Sequence, residues 1–195
     1  MSTIARVCVN ATFFEILPSG ELSFRRTSVG LQQMLVFATP GTSTFTKASF
    51  PGLTRLRVRT IGGGGGGAGA DAAPGELVAR SGGGGGGYSE SVLDAAALGA
   101  TETITVGGGG AGGVGNDDGN QGGASSFGAY VVANGGRGSN LSMTSGAGPF
   151  TSAGGFGATV GVGQIAVLGG PGGGAFRISA SGGQGGQGGT AGGGY

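Results

Sequence analysis

The chain has 195 residues, room for one domain or for a domain with a small extra piece. Glycine supplies 54 residues and charged side chains only 10%, where average domains hold roughly 7% and about 25%, so the surface must be unusually neutral. Histidine is absent and Cys8 is the single cysteine, which excludes an intrachain disulfide, Ser-His and Cys-His catalysis, and the commonest transition-metal ligand.

The first 60 residues hold only four glycines and read as β sequence. ARVCVNATFFEIL (5–17) is rich in β-branched and aromatic residues and predicts a strand, with Cys8 as a core or half-buried position between Val7 and Val9. Pro18-Ser19-Gly20 predicts a turn, and ELSFRRTSV (21–29) a second strand. LQQMLVFATPG (31–41) reads as a short helix or strand that Pro40-Gly41 ends. TFTKASFPGLTRLRVRTI (44–61) holds two strands around Phe50-Pro51-Gly52. Arg55, Arg57 and Arg59 alternate with Leu56 and Val58, the polar face of one strand rather than a nucleic-acid patch.

At Ile61 the composition breaks. The remaining 50 glycines all lie in 61–195, as hexaglycine runs at 62–67 and 82–87, a run at 107–110, and looser runs from Gly169 and Gly182. Charge divides at the same place. Residues 1–60 carry seven basic and two acidic side chains, a net of +5, while 61–195 carry three and seven, a net of −4. Between the runs stand GELVA, YSESVL, TETITV, SSFGAYVVA, ATVGVGQIAVL and AFRISA, all strand-like. SESVLDAAALGA (89–100) is the best helical candidate, but Leu98-Gly99-Ala100 resembles a turn and Thr101–Val106 predicts a strand, so a hairpin competes. Disorder or a slack linker would account for the glycines alone. It would not account for apolar residues such as Leu93, Ile104, Phe127, Val131 and Phe176 placed among them.

Ordering a glycine run costs more entropy than ordering any other sequence, so it requires a structure that only glycine forms. In the extended left-handed helix with three residues per turn, no hydrogen bonds form within the segment. Bare neighbouring helices then pack closely and bond one another, satisfying the backbone collectively. SGGQGGQGGT (181–190) keeps that beat: Ser181, Gln184, Gln187 and Thr190 fall on one edge and leave two glycine edges. Such a segment belongs on the outside of a bundle, and GGGGGG in its middle. Six prolines and two glycines in every three exclude a collagen triple helix.

FPGLTRLRVRTIGGGGGGAG, GGGGGGYSESVLD (82–94), TETITVGGGGAGG (101–113) and GGASSFGAYVVANGG (122–136), in that order, resemble the modules of the glycine-rich domain found in bacteriophage tail fibres and other virion appendages. A domain of this kind also occurs in some animal receptor kinases. The resemblance covers about 42–195 and implies a mainly β fold with little α-helix: a β-sandwich, jelly-roll-like scaffold interleaved with a bundle of polyglycine II helices, often within a trimer. Residues 1–41 match no named module and, by position and composition, are expected to be a β-rich segment attaching the chain to the particle. The extended shaft, heptads and chaperone module of long tail fibres are not in the sequence.

No catalytic, cofactor-binding or metal-binding residue is identified. The acids Glu15, Glu21, Asp71, Glu76, Glu90, Asp94, Glu102, Asp117 and Asp118 suggest no glycosidase pair. NDDGN (116–120) lacks the ligand spacing of a calcium loop, and a single GGRG (135–138) reads as a turn. The many G-x-G-x-x-G matches carry no information at this glycine content, and Lys47 precedes Ala48, so no P-loop is present. The expected function is non-enzymatic: a phage tail-tip or tail-fibre component attaching to the host surface, with a head fibre or decoration protein as the alternative. An enzyme acting on surface polysaccharide and a glycine-rich nucleic-acid binder stand behind these. Expected partners are further copies of the chain as a homotrimer, other virion proteins through the N-terminal segment, and a host glycan or outer-surface protein. No cofactor, nucleic acid or membrane insertion is expected; MSTIARVCVN lacks a secretory layout, so synthesis in host cytoplasm and a place in the virion are expected. Loops at 68–74, 116–121 and 140–151 are the candidate contact elements, each also readable as a plain connection.

Overall fold

A computed structural model describes residues 14–16, 22–24, 33–140 and 143–192. Cys8, the Pro18-Ser19-Gly20 turn and most of the strands expected over 5–17 and 21–29 lie outside the described residues. Contacts divide the chain into two units, Met1–Phe37 and Ala38–Tyr195. In the first, β1 (Phe14–Ile16) pairs antiparallel with β2 (Leu22–Phe24), Phe14 opposite Phe24.

The second unit is built from antiparallel sheets. β3 (Gly41–Thr46), β6 (Thr101–Val106), β7 (Ser125–Phe127) and β8 (Val131–Ala133) form one sheet in that order. β4 (Arg55–Ile61), β5 (Tyr88–Asp94) and β10 (Ile165–Val167) form another with β5 in the centre. In β4 the alternation seen in the sequence becomes a register: Arg55, Arg57 and Arg59 are exposed, while Leu56 and Val58 turn to the core. Phe45, Ile104, Phe127 and Val131 from the first sheet meet Leu56, Val58 and Leu93 from the second around buried Leu98. Phe45 stacks on Phe50 at 5.2 Å and meets the edge of Phe127 at 5.5 Å. The two sheets thus make a sandwich, mainly β, with no α-helix among the described residues. Among the described residues no helix is long and apolar enough to cross a membrane.

Two sequence expectations need correction. Pro40-Gly41 does not end an element. Gly41 opens β3 at φ +140°, a backbone conformation that favours glycine. Residues 89–100 are neither helix nor hairpin. β5 runs to Asp94, a single 3-10 turn follows at Ala95–Ala97, and β6 joins the opposite sheet. The alanines favour helix, but the apolar Leu93, Ala95 and Leu98 are claimed by the core between the sheets, which leaves room for one turn only. Lys47 secures that turn by donating to the carbonyls of Ala95 (3.1 Å) and Leu98 (2.9 Å).

The strands run directly into the glycine tracts: β4 into 62–67, 82–87 into β5, β6 into 107–113, and β8 into 134–139. Residues 82–87 are buried throughout. Each of their six carbonyls accepts a hydrogen bond, and the donors change in a cycle of three. Gly82 and Gly85 accept from Gly155 and Ala158, Gly83 and Gly86 from Gly189 and Gly192, Gly84 and Gly87 from Gly65 and Gly62. Outward, Gly82 and Gly85 donate to Gly173 and Gly170, and Gly84 and Gly87 to Arg137 and Asn134. These bonds measure 2.8 to 3.0 Å. One segment therefore bonds five others, some parallel and some antiparallel, at every third residue. The other hexaglycine run is peripheral, with Gly64 and Gly67 exposed. In 181–190 the side-chain edge is exposed at Ser181, Gln184, Gln187 and Thr190, and Gly186 and Gly189 pack inward, but Gly185 and Gly188 are exposed too. The beat also starts as a strand, β12 (Gly182–Gln184).

At the ends of the tracts away from the sandwich lies a third sheet, β12-β11-β9, with β11 (Ala175–Ser179) between β12 and β9 (Phe150–Ser152). Its small core is Ala79, Met143 and Ala175 with Leu77 and Val78.

Candidate functional site

The three loops singled out in the sequence come together at this distal end. Their meeting point is Arg80, two residues before the central glycine tract. Its Nε donates to the carbonyl of Gly69 in the first loop at 2.7 Å. Its Nη2 donates to Asn116 Oδ1 in the second at 2.7 Å. Its Nη1 donates to the carbonyl of Met143 in the third. Asn116 Oδ1 also accepts from the Asp71 amide at 3.2 Å, and the Gly69 amide donates to the Asp117 carbonyl at 2.9 Å, so the first two loops are stitched to each other. Desolvation draws the Arg80 pKa down, and the nearby Asp118 charge works against that.

A second arginine holds the third loop. Arg177 occupies an inward position of β11 and is 6% exposed. Its Nε donates to Gly148 O (2.6 Å), and its Nη1 to Leu77 O (2.8 Å) and Thr144 O (2.7 Å). Leu77 and Gly146 exchange backbone bonds, and Ser145 Oγ donates to Glu76. Among the described residues Arg177 forms no ion pair; its charge is met by carbonyl dipoles, which is how a buried guanidinium is accommodated without a carboxylate. Exposed on this end are Asp71, Glu76, Asp117, Asp118, Asn120 and Phe150.

Neither arginine was among the residues expected to matter. One signal was present: Arg80, Arg137 and Arg177 are the only basic residues in 61–195; alternation in AFRIS pointed the other way, since Arg177 is out of phase with Phe176 and Ile178, yet it is the arginine that faces inward. Of the other residues considered, Asn116 of NDDGN is spent on Arg80 and Asp71. Among the described residues no group of three or more His, Cys, Asp or Glu gathers to hold a metal. Arg137 of GGRG lies in a tract as an exposed residue, its amide donating to the carbonyl of Phe156 at 3.0 Å, and Phe156 is itself 72% exposed.

The strand arginines are accounted for at the opposite end. Glu90 lies between Arg57 Nε (2.6 Å) and Arg59 Nε (3.2 Å) and accepts from the Tyr88 hydroxyl. The hydrogen bond from Arg57, then that from Tyr88, lowers its pKa to about 2. Arg55 pairs with Asp94 at 3.0 Å. Two of the three strand cations share one carboxylate and the third has its own, so the face is a ladder of ion pairs.

The model of a glycine-rich domain matches residues 38–195. The chain belongs to this glycine-rich domain family. The match begins at the first residue of the second structural unit. No match was found among curated proteins or among solved structures. In this glycine-rich domain, then, a β-sandwich, a hydrogen-bonded set of glycine tracts and a loop-bearing end follow one another.

Proposed function

We propose that this chain is a non-enzymatic structural protein of a bacteriophage particle, a tail-tip or tail-fibre component that attaches to the host surface. The observation that carries the reading is the gathering of all three loops at the end of the tracts remote from the sandwich. Loops vary in sequence at little cost to a scaffold that does not depend on them. The three-residue hydrogen-bond cycle supports a bundle of polyglycine II helices as that scaffold, stiff and uncharged. In the assembled virion the chain is a homotrimer, the N-terminal segment docks to other virion proteins, and the distal loops meet a host glycan or outer-surface protein. Nucleic acid and membrane insertion have no part in the proposal.

The test uses antibody raised against the purified chain and applied to virions from a lysate of the source strain. The expected result is label at the tail end and loss of adsorption. Label on the head with normal adsorption would replace attachment with the role of a head fibre or decoration protein. Release of reducing sugar ends from host envelope by the purified chain would overturn the non-enzymatic reading.

A further inference from the structure

We infer that Arg80 is the positioning residue of the distal end: one guanidinium makes the three loops a single surface instead of three independent connections. Among the described hydrogen bonds, the first and second loops are joined directly, through Gly69 with Asp117 and Asp71 with Asn116. The third loop is bonded to its own neighbours, Leu77, Glu76, Ala79 and Arg177. Only Arg80 bonds to all three.

The guanidinium suits this role because its donors lie in a rigid plane. Fixing Nε on Gly69 and Nη2 on Asn116 also fixes where Nη1 points, and hence where the Met143 carbonyl must sit. An ammonium has one nitrogen on a flexible stem and imposes no angle between its acceptors. The plane itself is anchored to the scaffold. The Arg80 carbonyl accepts from Gly186 at 2.9 Å, and the next residues are Ser81 and the buried tract. Ser81 Oγ is paired with Ser139 Oγ at 2.6 Å, which fixes the same level of the neighbouring tract just before the third loop. Arg80 therefore refers each of the three loops to the glycine tracts through its own nitrogen, so that losing one acceptor leaves its bonds to the other two loops in place.

The consequence for attachment rests on the function proposed above; the coupling does not, and the experiment reads the coupling alone. Amide hydrogen exchange is followed in the full chain and in Arg80→Ala, Arg80→Lys and Asn116→Ala. In Arg80→Ala, exchange is expected to rise about tenfold or more together in 69–71, 116–118 and 143–148, with Gly84, Gly85 and Gly87 unchanged. Arg80→Lys is expected to resemble Arg80→Ala, since charge without the planar fork does not restore the angle. Asn116→Ala, which leaves the arginine in place, is expected to loosen 69–71 and 116–118 while 143–148 stays protected. Faster exchange in one loop only, or full protection restored by lysine, overturns the inference. If Arg80→Ala does not fold, Arg80→Lys and Asn116→Ala still decide it: loosening of 143–148 in the asparagine variant shows that the third loop is not held by the arginine.

Discussion

The glycine tracts give a prediction with opposite signs at two glycines of similar sequence context. At Gly84 an added Cβ lies inside any permitted contact with the Phe156 carbonyl oxygen and carbon, and 2.7 Å from the Gly157 nitrogen. All three atoms are backbone, so no rotamer change relieves the clash. Restoring van der Waals contact moves the neighbouring segment by about 1 Å or more, enough to break the bonds from Gly155 to Gly82 (2.8 Å) and from Ala158 to Gly85 (2.9 Å). The bond from Gly84 to Arg137 (2.8 Å) is placed at risk as well. Overpacking costs about 1–3 kcal/mol and each lost hydrogen bond about 1 kcal/mol, so Gly84→Ala is expected to destabilise by roughly 4–6 kcal/mol. At Gly64 the Cβ meets only the Gly84 carbonyl, at 3.6 Å, an ordinary contact, and φ is not positive. There the reduced freedom of the unfolded chain dominates, and Gly64→Ala is expected to stabilise by about 0.4–1 kcal/mol. Urea unfolding of both variants beside the parent measures the difference. In thermal unfolding, at about 2–4 °C per kcal/mol for a domain of this size, Gly84→Ala should melt roughly 10 °C or more lower. Equal effects at the two positions, or a Gly84→Ala change within about 0.5 kcal/mol of zero, would refute close lateral packing of the tracts.

Other perturbations probe the remaining parts. Glu90 binds its proton more weakly folded, with a pKa of about 2, than unfolded, near 4.3, so its contribution is complete above about pH 5 and is lost as pH falls toward 2. Glu90→Gln should remove that component of acid sensitivity, read as a flatter dependence of Tm on pH between 5 and 2.5; an unchanged profile would remove Glu90 from the account. Phe127→Ala empties a site that is 5% exposed and in edge contact with Phe45, and should cost about 3–5 kcal/mol in urea unfolding. Arg177→Met keeps the apolar stem but leaves the carbonyls of Gly148, Leu77 and Thr144 without their donor. Limited proteolysis should then cut first within 143–148 while the sandwich stays intact, and cleavage in β4 or β5 before that loop would contradict the assignment.

Much of the architecture was legible because its code is local. Alternation in RLRVRTI placed three arginines outward and Leu56 and Val58 inward, and Thr101–Val106 read as a strand without reference to anything else. Of the apolar residues between glycine runs, Leu98, Ile104, Phe127 and Val131 are buried core and Leu93 packs against it, whereas Phe156, Val160, Ile165, Leu168, Phe176 and Ile178 are exposed, which alternation alone did not announce. Where the reading failed, the outcome lay between distant residues. Leu98 and Ala95 were needed between two sheets, so 89–100 crossed from one to the other in place of a helix or hairpin. Which hexaglycine run would be central could not be read from two identical strings. It depended on which one acquired neighbours on every side.

The amino-acid order alone determined that the composition breaks at Ile61, that the rest alternates strand with bare backbone, and that histidine chemistry and an intrachain disulfide are closed to these residues, because these follow from composition and short-range periodicity. The tertiary structure decided that 82–87 is the hub, that loops at 68–74, 116–121 and 143–151 share one end, and that Arg80 ties them. Those facts arise because hydrogen-bond donors find carbonyls dozens of residues away, and a glycine carries no side chain to announce which carbonyl it will meet.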